Sequence, residues 1–85
     1  MKQIHFLGYI IEAYETPHPA GERLFTVVTD IVDPSQKADA AAPLKRLSAP
    51  NTVKLRKNEA QEYGLTMGRR WIEQQIASGN LAAKS

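Results

Sequence analysis

Gln3-Ile4-His5-Phe6-Leu7-Gly8-Tyr9-Ile10-Ile11-Glu12-Ala13-Tyr14 is the stretch whose reading decides the fold. It is rich in β-branched and aromatic residues and has no helix-capping pattern, so it reads as one long strand. Glu15-Thr16-Pro17-His18-Pro19-Ala20-Gly21 then gathers two prolines and a glycine, which is turn chemistry. Strand composition resumes with Arg23-Leu24-Phe25-Thr26-Val27-Val28-Thr29-Asp30-Ile31-Val32. Residues 3–32 are therefore expected to form a β-hairpin with a long tip. Alternation along a single first strand sends Ile4, Phe6 and Ile10 to one side and Leu7, Tyr9 and Ile11 to the other. Both faces would then be apolar. Helices of the same chain would cover one of them, and a second copy of the chain is the expected cover for the other.

Beyond the hairpin the signals change. Asp33-Pro34-Ser35-Gln36 has an Asx cap and a proline at the first helical position, which predicts a short helix over residues 33–42, ended by Pro43. Residues 44–51 read as a connector carrying Lys45 and Arg46. Thr52-Val53-Lys54-Leu55-Arg56-Lys57 alternates apolar and basic residues and predicts a short third strand over residues 52–57. From residue 58 to 78 the period becomes helical, with Ala60, Tyr63, Met67 and Trp71 three or four residues apart. Gly64-Leu65-Thr66 leaves open one continuous helix or two helices joined by a turn, and Gly79-Asn80 is the expected stop. The expectation is a single small α+β domain.

Composition narrows the function classes. Eighty-five residues, 42% hydrophobic and 24% charged, leave room for one core and none for a second domain. With no cysteine, disulfides, thiolate zinc sites and thiol nucleophiles are all excluded. His5 and His18, thirteen positions apart, have no neighbouring ligands at metal-binding spacing, so no metal and no cofactor are expected. Ser35, Ser48 and Ser78 sit in capping or connector contexts, without the sequence that would activate a nucleophile. An enzyme would need a site at a subunit interface around His5, and a non-enzymatic protein is expected instead. No apolar run approaches a membrane span and the opening residues lack a signal-peptide core, which makes a cytoplasmic protein with no membrane partner the expectation.

The charge is divided unevenly. Residues 1–43 hold three Lys and Arg against six Asp and Glu, whereas residues 44–85 hold eight against three. A basic end of this kind suits a polyanion, and it also suits an ordinary solvated face. Lys54, Arg56 and Lys57 would lie on or just after the third strand. If a second helix starts at Thr66, Arg69 and Arg70 fall in its first turn, where the macrodipole disfavours cations unless a phosphate or base edge is held there. Glu73 offers both arginines an ordinary partner within the helix.

The segment Glu59-Ala60-Gln61-Glu62-Tyr63-Gly64-Leu65-Thr66-Met67-Gly68-Arg69-Arg70-Trp71-Ile72 resembles the helix-turn-helix of small DNA-binding proteins, the phage excisionase type among them. Ala60, Gly64, Leu65 and Met67 match the small, Gly, aliphatic and aliphatic positions of that pattern. The tail, an aromatic-led helix from Trp71 followed by Gly79-Asn80-Leu81, is similar to the excisionase ending, whereas Glu59, Arg70 and Glu73 depart from the family's apolar positions. The resemblance implies nucleic-acid binding, with Lys54, Arg56 and Lys57 on phosphates and Arg69 and Arg70 toward a groove. The alternative is a protein–protein interaction module from a phage or mobile element, an inhibitor or adaptor of a host protein. It would act through the hairpin face, with Phe6, Tyr9, Ile11, Phe25 and Trp71 as its expected interface and a homodimer as one form of it.

Overall fold

The hairpin predicted over residues 3–32 is present, but it begins with a smaller hairpin of its own. In the computed structural model, which describes residues 1–21, 23–34, 43–50 and 52–82, the first stretch is two strands, β1 (Lys2–Phe6) and β2 (Tyr9–Pro17). They pair antiparallel, with Phe6 opposite Tyr9 and Ile4 opposite Ile11. Leu7 and Gly8 form the two-residue turn, at φ of 50° and 86°. Two successive left-handed residues give a turn whose twist matches that of the flanking strands. Gly8 adopts this conformation freely. Leu7, with its Cβ, pays about 1–2 kcal/mol for it, which is why no turn signature stands out in the sequence.

This turn reverses the expected sidedness. Folding back between residues 6 and 9 puts Ile4 and Phe6 on the same face as Tyr9 and Ile11, where a continuous strand would have separated them. Ile4, Phe6, Tyr9, Ile11 and Ala13 therefore converge on one side of the sheet, under the C-terminal helix, while Ile10 and Tyr14 of β2 take the other.

β3 (Phe25–Val32) pairs antiparallel with β2 from Ile10–Val32 to Pro17–Phe25. The tip between them is organised around His18. Its backbone N–H donates to the Leu24 carbonyl at 2.8 Å, and its buried ring accepts a hydrogen bond at Nδ1 from the Ala20 N–H at 3.0 Å. The next strand lies where a connector was expected: β4 (Lys45–Ser48) pairs with β3 and completes a four-stranded antiparallel sheet in the order β1-β2-β3-β4. The strand expected over residues 52–57 is reduced to one bridge, Leu55 opposite Phe25. Between Ser48 and Leu55 the pairing with β3 slips by four residues, and Pro50, which lacks an N–H, sits in that excursion. The short helix expected over residues 33–42 falls almost wholly outside the described residues.

The helix α1 (Lys57–Ala77) is continuous for 21 residues, so Gly64-Leu65-Thr66 neither ends one helix nor caps another. Gly64 and Gly68 are where α1 meets the sheet. A Cβ at residue 64 would stand 2.6 Å from Val27 Cγ2 and 2.9 Å from the Ala13 Cβ, and one at residue 68 would stand 2.5 Å from Ile11 Cγ2. The backbone can therefore approach the strands closely, and the Thr29 hydroxyl donates to the Gly64 carbonyl at 2.9 Å in the buried layer. Dispersion and burial across that contact offset the roughly 1 kcal/mol that each glycine costs inside a helix. Gly79, at φ 78°, ends the helix, and the Asn80 N–H returns to the Gln75 carbonyl at 2.8 Å.

The core is the single layer between helix and sheet. Tyr9, Ile11, Ala13, Val27 and Ile31 of the sheet meet Ala60, Leu65 and Ile72 of α1, and Ala49 closes one end. Tyr9 also donates its hydroxyl to the Ala82 carbonyl at 2.8 Å, which ties the chain after α1 to the sheet. Among the described residues no helix is long and apolar enough to cross a membrane.

Candidate interaction site

Among the described residues, the surfaces that could meet a partner include the back of the sheet and the edge where β4 lies beside α1. By alternation and register the back carries Ile10, Glu12 and Tyr14 of β2 and Val28, Asp30 and Val32 of β3. Its centre is polar. Arg46 of β4 forks onto Asp30, with Nε to Oδ1 at 2.7 Å and an Nη to Oδ2 at 2.9 Å. The carboxylate is nearly buried, at 9% side-chain exposure, while the guanidinium is 63% exposed. The Tyr14 hydroxyl donates to Glu12 at 3.3 Å, and its pKa is raised, first by burial and then by the Glu12 carboxylate. Apolar pairs, Ile10 with Val32 and Tyr14 with Val28, flank that polar centre on either side.

The five basic residues expected to contact nucleic acid do not form one patch. Lys54, Arg56 and Lys57 come together at the start of α1, all exposed. Arg56 is the residue at the N-cap, and its backbone N–H donates to Glu59 Oε1 at 3.3 Å. Lys57 Nζ stands 4.0 Å from Glu15 Oε1. Arg69 and Arg70 lie in the middle of the helix and not in a first turn, so the macrodipole argument for them falls. They are roughly 18–20 Å along the axis from Lys57 and about 100° apart around it. Arg69 is half-buried; the pKa of Glu62 is lowered first by the hydrogen bond from Lys2 and the Lys2 charge, and least by the charge of Arg69. Arg70 points to solvent on the other flank.

The expected apolar interface is also redistributed. Tyr9 and Ile11 are core residues of this chain, at 2% and 0% exposure, because the Leu7-Gly8 turn directs them under α1. Phe6 and Phe25 are half-buried at the rim of the same core. Trp71 lines a surface cleft. That cleft, about 280 Å³, lies between β4 and α1 and is formed by Leu47, Ser48, Met67, Arg70, Trp71 and Gln74. A second hollow of about 550 Å³ continues past Arg70 toward Tyr63, Thr66 and Leu55. Arg70 stands on the wall between them.

β4 gives the cleft a further property. The Ala49 N–H donates to the Val27 carbonyl at 3.0 Å, so Leu47, of the same parity and opposite Thr29, turns its backbone groups inward to β3, and at the start of the strand the Leu44 N–H donates inward to the Ile31 carbonyl at 2.7 Å. Arg46 and Ser48 then turn their N–H and C=O groups outward, and among the described residues no strand pairs with that edge. The side chains of Lys45 and Leu47 stand on the helix side of the sheet. Lys45, Arg46 and Leu47 carry no functional signature in the sequence; only Pro43 and Ala49-Pro50, which bracket the five residues 44–48, mark the bounds of a short segment there.

Among the described residues no group of three or more His, Asp or Glu is placed to hold a metal ion. In comparisons with protein-family models, characterised proteins and solved structures, nothing matched the chain.

Proposed function

We propose that this chain is a small non-enzymatic binding domain whose partner is a protein, engaged at the cleft between β4 and α1. The observation that carries the reading is the make-up of the cleft. Trp71, Met67 and Leu47 offer a half-open apolar floor beside the exposed cation Arg70. An aromatic anchor with an arginine beside it is the composition that concentrates binding energy in protein interfaces. The distribution of the basic residues points the same way, because cations interleaved with Glu59, Glu62 and Glu73 over the length of a helix give a weak field for a polyanion.

Site-specific photo-crosslinking in cells expressing the chain tests this. A photoreactive side chain at Gln74, on the cleft, is expected to give adducts that protease removes and nuclease does not, and these should disappear when Trp71→Ala is added. Nuclease-sensitive adducts there, or adducts that survive the Trp71 change, would count against the reading.

A second reading, nucleic-acid binding, keeps support from the exposed group Lys54, Arg56 and Lys57 at the helix start, where phosphate would meet both side-chain charge and backbone N–H groups. It predicts nuclease-sensitive adducts from a photoreactive group at Lys54, and salt-dependent binding that weakens when the three residues become Ala.

A further inference from the structure

We propose that the partner adds a strand: an extended segment with alternating apolar and acidic residues pairs with the outer edge of β4 and sends its apolar side chains into the cleft. The inference rests on the reading that the β4–α1 cleft is a protein-binding site, and it specifies the partner's conformation and charge.

Three features converge on that occupant. The outward N–H and C=O groups of Arg46 and Ser48 are about two residues apart along an edge without a partner strand among the described residues, which is the repeat an added strand satisfies. The cleft lies on the helix side of the same strand, where every second side chain of an added strand would fall, over Leu47, Met67 and Trp71. The cations flank the path. Lys45 stands on the helix side of β4, Arg70 forms the opposite wall, and among the described residues neither has a carboxylate within ion-pairing distance. Arg46, on the far face, already has Asp30. Carboxylates on either side of an inserted apolar residue would therefore meet Lys45 and Arg70, whereas a basic segment would be repelled at both.

The edge is short, four residues, and carries Lys45 and Arg46, features that discourage indiscriminate pairing with other sheets. The same positive charge selects an acidic strand. Selection of this kind combines an attraction with a repulsion directed at the wrong partner.

The test uses the full chain and two end-blocked peptides of about eight residues, one alternating Val with Asp and one alternating Val with Lys, read by Trp71 fluorescence and by amide hydrogen exchange. The Asp peptide is expected to bind at least about tenfold more tightly than the Lys peptide at low salt, and the difference should shrink as salt rises. On binding, the Arg46 and Ser48 amides should exchange at least about tenfold more slowly. Lys45→Glu with Arg70→Glu should reverse the charge preference. Ser48→Pro removes an outward N–H from an edge position where proline is tolerated, and should weaken binding about tenfold with thermal stability unchanged.

Equal affinity for the two peptides, binding without slowed exchange at Arg46 and Ser48, or no binding of either peptide at millimolar concentration would each overturn the proposal. Failure of the protein-partner reading itself is separate and is seen in the cell crosslinks: protein adducts at Gln74 keep that reading even when strand addition fails, and nuclease-sensitive adducts remove both.

Discussion

Replacing Gly64 by alanine tests how closely the helix sits on the sheet. In isolation the change favours the helix by about 1 kcal/mol. In this fold the new methyl would lie 2.6 Å from Val27 Cγ2, 2.7 Å from Thr29 Oγ1 and 2.9 Å from Ala13 Cβ, all short of the 3.4 Å at which ordinary contact begins. None of these atoms is the far end of a flexible chain, so α1 has to lift by roughly 0.5–0.8 Å. Overpacking of that order costs about 1–3 kcal/mol. Lifting also stretches the buried bond from Thr29 to the Gly64 carbonyl, a loss of about 1 kcal/mol.

The expected net destabilisation of Gly64→Ala is about 2 kcal/mol. For a domain of this size that lowers Tm by roughly 8–15 °C. Circular dichroism and Trp71 fluorescence in urea and heat measure it. Gly68→Ala, with its closest contact at 2.5 Å to Ile11 Cγ2, should behave similarly. The double variant should cost less than the sum of the two, because one displacement of the helix relieves both clashes. Gly79→Ala is the control: nothing lies within 4 Å of its Cβ position, and its φ of +78° alone should cost about 1 kcal/mol. A Gly64→Ala protein as stable as the parent would refute the close approach and, with it, the account of why two glycines occupy the middle of a helix.

Further outcomes follow from the polar contacts. Arg46→Ala leaves the nearly buried Asp30 carboxylate without its fork and should lower the midpoint of urea unfolding, and an unchanged midpoint would contradict that role for the fork. Glu15 has a lowered pKa, chiefly through the hydrogen bond from Gln61 Nε2 at 2.9 Å and also through Lys57. Its contribution to stability is therefore complete above the unfolded carboxylate value, about 4.3, and is lost as pH falls through the lower folded value. Glu15→Gln should flatten that part of the stability–pH curve, and an unchanged acid limb would contradict the assignment. Tyr9→Phe removes the hydroxyl that holds the Ala82 carbonyl and should speed amide exchange at Asn80 and Leu81 while costing about 1 kcal/mol of global stability.

Much of this fold was legible in local chemistry. The proline- and glycine-rich segment Glu15-Thr16-Pro17-His18-Pro19-Ala20-Gly21 marked the tip between β2 and β3, and the three- and four-residue spacing of Ala60, Tyr63, Met67 and Trp71 marked α1. The Leu7-Gly8 turn was hidden because it interrupts no apolar run and places a leucine where glycine or asparagine normally announces a reversal. That one turn put Ile4 and Phe6 on the same face as Tyr9 and Ile11 and moved the latter two from an expected interface into the core.

β4 was hidden for a different reason. Its four residues include one half-buried apolar side chain, Leu47, and its strand character comes from pairing with β3, which local propensity does not encode. The candidate site depends on that strand. Trp71 and Arg70 were recognisable as functional residue types, but their relation to Leu47 and to an open sheet edge is set by the tertiary fold.

The most direct test of the protein-binding account is an amide chemical-shift map of the ¹⁵N-labelled chain, titrated first with random-sequence duplex DNA at low salt and then with the Val–Asp peptide. The account predicts that the peptide shifts the amides of residues 45–49 and 67–74, while the duplex leaves those residues unmoved. Shifts with duplex centred on residues 54–59, with the cleft silent to peptide, would contradict it and make the basic start of α1 the working surface.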